Sequence, residues 1–517
     1  MTARLRPTWV PRAARVYRRP GGPWDVPTLD SLISARGGEI VDGDTRLSAA
    51  QADALVATVA GGLRERGATK GAAVAWQVPN SVAAAVLARA CWRLGAVAAP
   101  LLHSFGAAEV EGALAQIDPA LVVELGPEVI SDPAALADAV GGAPVPAAAS
   151  GTAQPSDVAL VLFTSGSTGV PKAVLHTHRG LSWKASLMAR VHGLGPGDAV
   201  LMPAPMAHIA GMLNGVLVPG AAGMRATLMR RFDPELALAL VGRERISFMA
   251  GPPTFFIAMA GALAGSSGQG VDVSSVRLIS SGGASVTPAF VEDTAHVFDC
   301  RVKRTYGSTE APTVTTSTND DPVETARDTD GRAVGDVELR VSHPETGVPL
   351  RRGSAGELWV RGPEMFAGYA EPSQTAAVIA RGGWFKTGDL ATVDADGWLR
   401  IVGRLKDVII RGGENISASE VEAALEAHPD VRHAVAVGYP DPLMGERVAA
   451  FVESAAPFGL EECRRWFSSR GIATFKTPEK VVRLERLPLL GSGKADRAAL
   501  RRQAAGGGGG GGGAANS

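Results

Sequence analysis

Cysteine is scarce. Only Cys91, Cys300 and Cys463 occur in 517 residues, odd in number and far apart. That excludes a disulfide framework and a cysteine-built zinc site, and it suits a reducing compartment. An excess of either charge is missing as well. Lys and Arg total 51 against 52 acidic residues, so no broad basic field awaits nucleic acid and any anion site must be local. The Arg-rich start, through Arg19, carries no apolar stretch ahead of a small-residue cleavage site, which excludes a signal peptide. Long uninterrupted apolar runs are lacking too. Residues 82–102 contain Arg89 and Arg93, and residues 203–224 hold Pro203, Pro205, His208, Asn214 and Pro219 among many glycines. The second stretch reads as a buried strand–loop–helix passage, and neither reads as a membrane span. The cytoplasm is the expected location.

What remains is an ordinary soluble composition, 46% hydrophobic and 20% charged, in a chain too long for one core. Residues 1–25 read as an irregular Arg- and Pro-rich arm. After it, short β-like runs alternate with helical ones: Ala73–Gln77, Asp157–Phe163, Val200–Met202, Ser247–Ala250 and Val276–Ser280 as strands, and Ser81–Leu94 as a largely buried helix. The alternation predicts an α/β domain over 26–404, with parallel strands covered on both faces. From about residue 335 to 404, Gly356–Arg361, Leu390–Val393 and Trp398–Val402 are short strands between Gly and Asp turns, which predicts a barrel-like subdomain. Residues 405–503 read as a small α+β domain. Ser417 and Glu420 have the spacing of a capping box, and His433–Gly438 and Arg447–Glu453 are its strands. Residues 504–517, with Gly506–Gly513 unbroken, form a tail that can bury nothing.

Directly after the apolar run ending at Phe163 come Thr164, Ser165, Gly166, Ser167, Thr168, Gly169, Val170, Pro171 and Lys172. Glycine and proline let the backbone turn sharply, hydroxyls donate, and lysine supplies positive charge, the parts needed to wrap phosphate oxygens. The Walker spacing is absent. By composition alone the loop is also compatible with a solvated linker. In the same way, Ser281-Gly282-Gly283-Ala284 reads as a plain loop or as bare backbone that admits a flat base. Tyr306-Gly307-Ser308-Thr309-Glu310 reads as a turn or as a hydroxyl–carboxylate pair suited to magnesium.

The ordered set of segments resembles the adenylate-forming superfamily of acyl-CoA synthetases, peptide-synthetase adenylation domains and luciferases. TSGSTGVPKAVLHTH resembles its phosphate loop, with Ala173 where glycine is usual. The resemblance implies that Thr164, Ser165, Gly166, Ser167, Thr168, Gly169 and Lys172 hold the phosphates of ATP. It further implies that Gly282, Gly283, Ala284, Tyr306 and Gly307 surround the adenine, that Thr309 contacts the α-phosphate, and that Glu310 holds Mg2+. Thr387-Gly388-Asp389 is similar to the family's T-G-D motif and Gly403-Arg404-Leu405-Lys406-Asp407 to the next, which gives Asp389 and Arg404 to the ribose and Lys406 to an interdomain hinge. Lys494, in Gly491-Ser492-Gly493-Lys494, takes the place of the adenylation lysine. Arg411, Gly412, Gly413 and Glu414 take that of the coenzyme A tunnel, and Met206, His208, Ile209 and Met212 that of the acyl pocket, with His208 as a gate.

The implied activity is that of an acid–thiol ligase using ATP, Mg2+ and CoA on a short-to-medium, branched or alicyclic acid. Two other readings stay open: a stand-alone adenylating enzyme that loads a carrier protein, and a non-catalytic nucleotide-binding relative. The methionines could equally be core. Trp76-Gln77-Val78-Pro79-Asn80 and Asp320-Asp321-Pro322 are similar to the cyclohexanecarboxylate and medium-chain ligases, although these stretches stand outside the expected chemistry. A homodimer is compatible with the sequence, which does not fix the oligomeric state.

Overall fold

The computed structural model describes residues 4–11, 14–147, 153–164, 171–265, 270–411, 414–490 and 495–506. Packing divides the chain into two units, Met1–Leu339 with Trp359–Lys386, and Arg340–Leu358 with Thr387–Ser517. The packing boundary thus falls at Thr387, and the segment from there to Arg404 goes with the second unit. The fold is α/β, as the alternation of runs predicts.

The first unit is built on two sheets. In the larger, six strands run parallel in the order Ile40–Asp42, Arg225–Leu228, Ala199–Met202, Phe248–Gly251, Leu278–Gly282 and Arg301–Tyr306, with short antiparallel strands at either edge. In the smaller, Leu121–Val123, Ala73–Trp76, Val97–Pro100 and Val158–Thr164 are parallel, and Lys172–Thr177 returns antiparallel to the last. Most positions of these strands are buried on both faces, and that is why they read as unbroken Val, Ala, Leu and Ile runs rather than alternations.

The helix Val82–Leu94 begins where Ser81 accepts from the Ala84 amide and ends at Gly95 in the left-handed conformation. Its two arginines, which argued against a membrane span, are buried by pairing. The Arg93 guanidinium donates to both Asp30 oxygens at 3.0–3.2 Å and to Asp53, while Arg89 donates to Asp53 at 2.9 Å. Among the described residues, no helix is long and apolar enough to cross a membrane.

The arm is anchored rather than loose. It carries a short helix, Ala14–Tyr17, and Trp24 is buried, donating its indole N–H to the Pro363 carbonyl at 2.8 Å beneath the Arg179 guanidinium.

The region expected as a small subdomain from about residue 335 contains a five-stranded sheet of Glu338–Ser342, Gly356–Arg361, Trp384–Val393, Ile379–Ala380 and Leu399–Arg404. Another sheet of five strands, centred on Val431–Asp441 and Gly445–Ser454, packs against the helices Ala418–Glu426 and Leu460–Ser469 through Val421, Leu425, Val448, Ala450 and Phe467. One local expectation fails. Ser417 precedes the helix Ala418–Glu426 but makes no cap, because its hydroxyl donates to the Val402 carbonyl at 2.6 Å; Glu420 is drawn away to Lys476. Tertiary partners outcompete the local box. Residues 507–517 of the glycine tail lie outside the described set.

Replacing Arg93 with Met leaves Asp30, 0% exposed, without its counter-charge. The expected loss is about 3–5 kcal/mol of stability, read as a lower urea midpoint for the first unfolding transition, with Lys70→Met, at a half-exposed pair, changing it little.

Candidate active site

In an open parallel sheet the carboxyl ends of the strands are where loops can surround a ligand. Here the strand Leu278–Gly282 runs directly into the Gly282–Ala284 turn. Its parallel neighbour Arg301–Tyr306 ends at Tyr306, with Gly282 opposite Thr305. A side chain at Gly282 would sit 2.2 Å from the Thr305 carbonyl oxygen, so only glycine lets the two strand ends lie this close. The sheet therefore brings Gly282, Gly283, Ala284, Tyr306 and Gly307 together. Beyond them, the turn carrying Thr309 and Glu310 is tied by Ser308, whose amide donates to the Ala311 carbonyl at 3.0 Å and whose hydroxyl accepts from the Ala311 amide. Thr313 follows at φ +41°, an uncommon conformation for a β-branched residue. It is fixed by Lys184, fully buried, which donates to the Thr313 carbonyl at 2.9 Å and pairs with Glu364 at 2.8 Å.

On the smaller sheet, Thr164 faces Lys172 across the antiparallel pair, so the candidate phosphate loop closes a hairpin. Residues 165–170 of that loop lie outside the described set. Its exit is held by Gln116, which accepts from the Ala173 amide and donates to the Pro171 carbonyl. The two sheets meet through the segment 366–370. Ala367 and Ala370 amides donate to Leu175 and Ala173, Leu175 donates to Gly368, and the Phe366 amide donates to the Glu310 carbonyl at 2.7 Å. Tyr369, on this segment, donates its hydroxyl to Glu310 Oε1 at 2.6 Å, and the Lys172 ammonium lies 5.4 Å from its ring centroid. Burial and the neighbouring Glu310 carboxylate push the Tyr369 phenol well above its ordinary pKa, so it stays a donor.

The candidate pocket segment leaves the strand Ala199–Met202. His208 starts the turn Ile209–Met212, which passes into a π-turn, Leu213–Leu217. Met206 and Met212 are buried in the main hydrophobic core and Ile209 packs against it. Asn80 grips this segment, donating to the Met202 and Ala204 carbonyls at 3.2 and 2.8 Å and accepting from the Met206 amide at 2.7 Å. The segment Trp76–Asn80, expected outside the chemistry, thus supports this candidate segment directly.

The second unit holds the other candidates. Gly388 has φ +73°, and the turn is completed by Thr387, whose hydroxyl donates to the Leu358 carbonyl and accepts from the Asp389 amide. Asp389 lies opposite Arg404 on the paired strands and is bound by its Nε at 2.7 Å. Lys406 is exposed on a single turn whose next residue, Asp407, pairs with Arg501 at 3.0 Å. Arg411 pairs with Glu479 and lies opposite Glu414 across a hairpin. Gly412 and Gly413, like Lys494, lie outside the described residues. The stretch carrying Lys494 is flanked by a bridge between Leu489 and Ala495, and Asp496 then caps the helix Arg497–Ala504. Arg497 anchors that helix through Glu422 at 2.6 and 2.9 Å.

Residues 34–370 match the model of the AMP-binding enzyme family and residues 420–494 that of the AMP-binding enzyme C-terminal domain. The chain belongs to the AMP-binding enzymes. This adenylate-forming ligase is 34% identical to a medium-chain fatty-acid–CoA ligase of Escherichia coli (strain K12) over 87% of the chain and 84% of that protein. It is 34% identical to a feruloyl-CoA synthase of an Amycolatopsis species over 93% and 98%. Among solved structures it resembles ATP-bound MatB from Rhodopseudomonas palustris with a TM-score of 0.80 and 27% identity, covering 92% of the chain and 99% of that structure.

Lys184, Glu364 and Tyr369 escape motif reading, and Asn80 lies in the Trp76–Asn80 stretch that motif reading leaves outside the chemistry. One signal existed: the chain has four tyrosines, and two of them, Tyr306 and Tyr369, sit in this site. His176 stands within the TSGSTGVPKAVLHTH stretch, which gives it no role of its own. It is buried against the Thr309 backbone, and burial depresses its pKa from 6.5 to about 4. The same cause lowers His178 to about 4 and His192 to about 3, and His178 Nδ1 accepts from the Leu29 amide at 3.3 Å, as a neutral ring must.

Because these folded-state values lie below the unfolded value of about 6.5, the unfolded chain binds protons that the folded one refuses. Stability contributed by the three neutral rings is full above pH 6.5 and falls as the pH drops toward 4. Unfolding at pH 5 should therefore take up about three protons from these groups, measured potentiometrically in urea; replacing His176 with Gln should remove about one.

Proposed function

We propose that this ligase makes an acyl-adenylate from a carboxylic acid and ATP, releasing pyrophosphate, and then passes the acyl group to CoA with release of AMP. The observation carrying this reading is the convergence, at the ends of two parallel sheets, of the Gly282–Ala284 turn, Tyr306, Glu310 and Lys172, with Tyr369 joining the last two. In the first step a carboxylate oxygen attacks the α-phosphorus and the bond to the bridging oxygen of pyrophosphate breaks. Two anions meet, so cations must be waiting. Lys172 and the loop from Thr164 to Gly169 receive the β- and γ-phosphates, Thr309 the α-phosphate, and Lys494 bridges carboxylate and α-phosphate as charge shifts.

Glu310 offers a carboxylate oxygen to Mg2+, a hard cation that keeps several waters and binds beside nucleotide phosphates; when bound, it neutralises the departing pyrophosphate. Among the described residues there is no cluster of three or more acidic, His or Cys ligands. Asp389 accepts from the ribose hydroxyls and Arg404 reaches the same sugar, its present partner being Asp389 itself. In the second step the CoA sulfur attacks the acyl carbonyl and AMP leaves. Lys406 is assigned to the hinge between 26–404 and 405–503 that would present Arg411, Gly412, Gly413 and Glu414 to the pantetheine arm.

The acyl side is assigned to the segment Met206–Met212 with His208 as its gate; Met206 and Met212 are buried in the core and Ile209 packs against it, and this apolar segment favours an uncharged acid of short to medium length, branched or alicyclic. Three free cysteines, two of them buried, fit a reducing cytoplasm.

AMP release on adding acids with ATP and CoA tests the reading. CoA-dependent AMP supports it, AMP only with an acyl carrier protein favours carrier loading, and none favours a non-catalytic relative. In the active enzyme, Lys494→Ala should reduce adenylation by about 10² to 10³ while sparing thioester formation from presynthesised acyl-AMP; equal loss in both half-reactions would remove Lys494 from this role.

A further inference from the structure

Tyr369 is immobilised from every side. It is 3% exposed. Its amide donates to Thr375 Oγ1 at 2.8 Å and its carbonyl accepts from Thr8 Oγ1 at 2.8 Å. It is bridged to Val174, and its ring lies edge-on to Phe366 at 5.1 Å. The Thr8 contact means that the N-terminal arm takes part in fixing this residue. A side chain held in this way can direct its hydroxyl to one place, and that place is Glu310 Oε1.

Glu310 by contrast sits on a turn and is only half-buried, and its carboxylate is met by the Tyr369 hydroxyl. A phenol that donates to a carboxylate makes a short, charge-assisted bond. It occupies one oxygen and orients the other. The Lys172 ammonium over the same ring shares this support, because the electron-rich face of the ring attracts a cation.

We propose that Tyr369 is a positioning residue for nucleotide activation: its hydroxyl fixes the Glu310 carboxylate so that Oε2 faces the metal–nucleotide, while its ring seats the Lys172 ammonium. The inference rests on the adenylate-forming reading of this site and assigns to Tyr369 no contact with the reacting atoms.

Tyr369→Phe keeps the ring, the backbone bonds and the Lys172 contact, and removes only the hydroxyl. Two measurements follow on the purified full chain: acid-dependent ATP–pyrophosphate exchange as a function of Mg2+, and ATP binding by calorimetry without acid at low and high Mg2+. The Mg2+ concentration for half-maximal exchange should rise roughly tenfold, the size expected for loss of one hydrogen bond to a charged group. Saturating Mg2+ should restore the rate to within about twofold, and ATP affinity should weaken at low Mg2+ alone. In a Glu310→Gln background the same change should add little, since Tyr369 acts through that carboxylate.

An unaltered Mg2+ requirement, or a defect that Mg2+ does not relieve and that adds fully to Glu310→Gln, overturns the proposal and leaves the adenylate-forming reading intact. A wild-type chain without Mg2+-dependent ATP binding or exchange overturns both.

Discussion

The arrangement depends on one seam: the segment 366–370, hydrogen-bonded on one side to the strand Lys172–Thr177 and on the other to Glu310. Two separate parallel sheets each end in a loop suited to part of a nucleotide. Neither sheet has reason, by itself, to place its loop near the other's. The seam supplies that reason with backbone bonds, which do not depend on side-chain identity, and with one phenol, which does. The same segment is held from behind by Thr8 and by the buried Lys184–Glu364 pair. The N-terminal arm and the helix His178–His192 are thus part of the site's foundation without lining it.

Several buried charges in this unit are matched by a partner of opposite sign. Arg93 and Arg89 meet Asp30 and Asp53, and Lys184 meets Glu364 and a backbone carbonyl. An ion left alone in such an interior would be strongly destabilising, whereas a paired one is close to neutral and fixes register. Three histidines follow the opposite course and stay uncharged. Other buried cations rely on dipoles or rings instead: Lys303 donates to Asn319 Oδ1 and to the Val191 carbonyl, and Arg179 lies over the Trp24 ring.

The second unit repeats this at smaller scale. Its C-terminal helix is fixed through Arg497 to Glu422, and Arg501 fastens the turn after Lys406 through Asp407. Leu489 and Ala495, on either side of the stretch that carries Lys494, are joined by a bridge, and the Asp-capped helix follows.

Composition, order of motifs and run lengths were enough to determine the α/β class, the placement of the long buried helix Val82–Leu94 and the adenylate-forming family. Each is written in local pattern: apolar strands read as runs, and the family's motifs read as fixed strings of small, hydroxyl and charged residues. Tertiary structure decided the rest. Ser417 and Glu420 have the letters of a capping box, yet each is claimed by a more distant partner. Tyr369 has no motif of its own, Asn80 and His176 stand in stretches that give them no role, and the meaning of all three lies in what they touch 59, 126 and about 130 positions away. Sequence records which groups are available along a chain; only folding settles which of them share a hydrogen bond, since that depends on strand ends meeting across hundreds of residues.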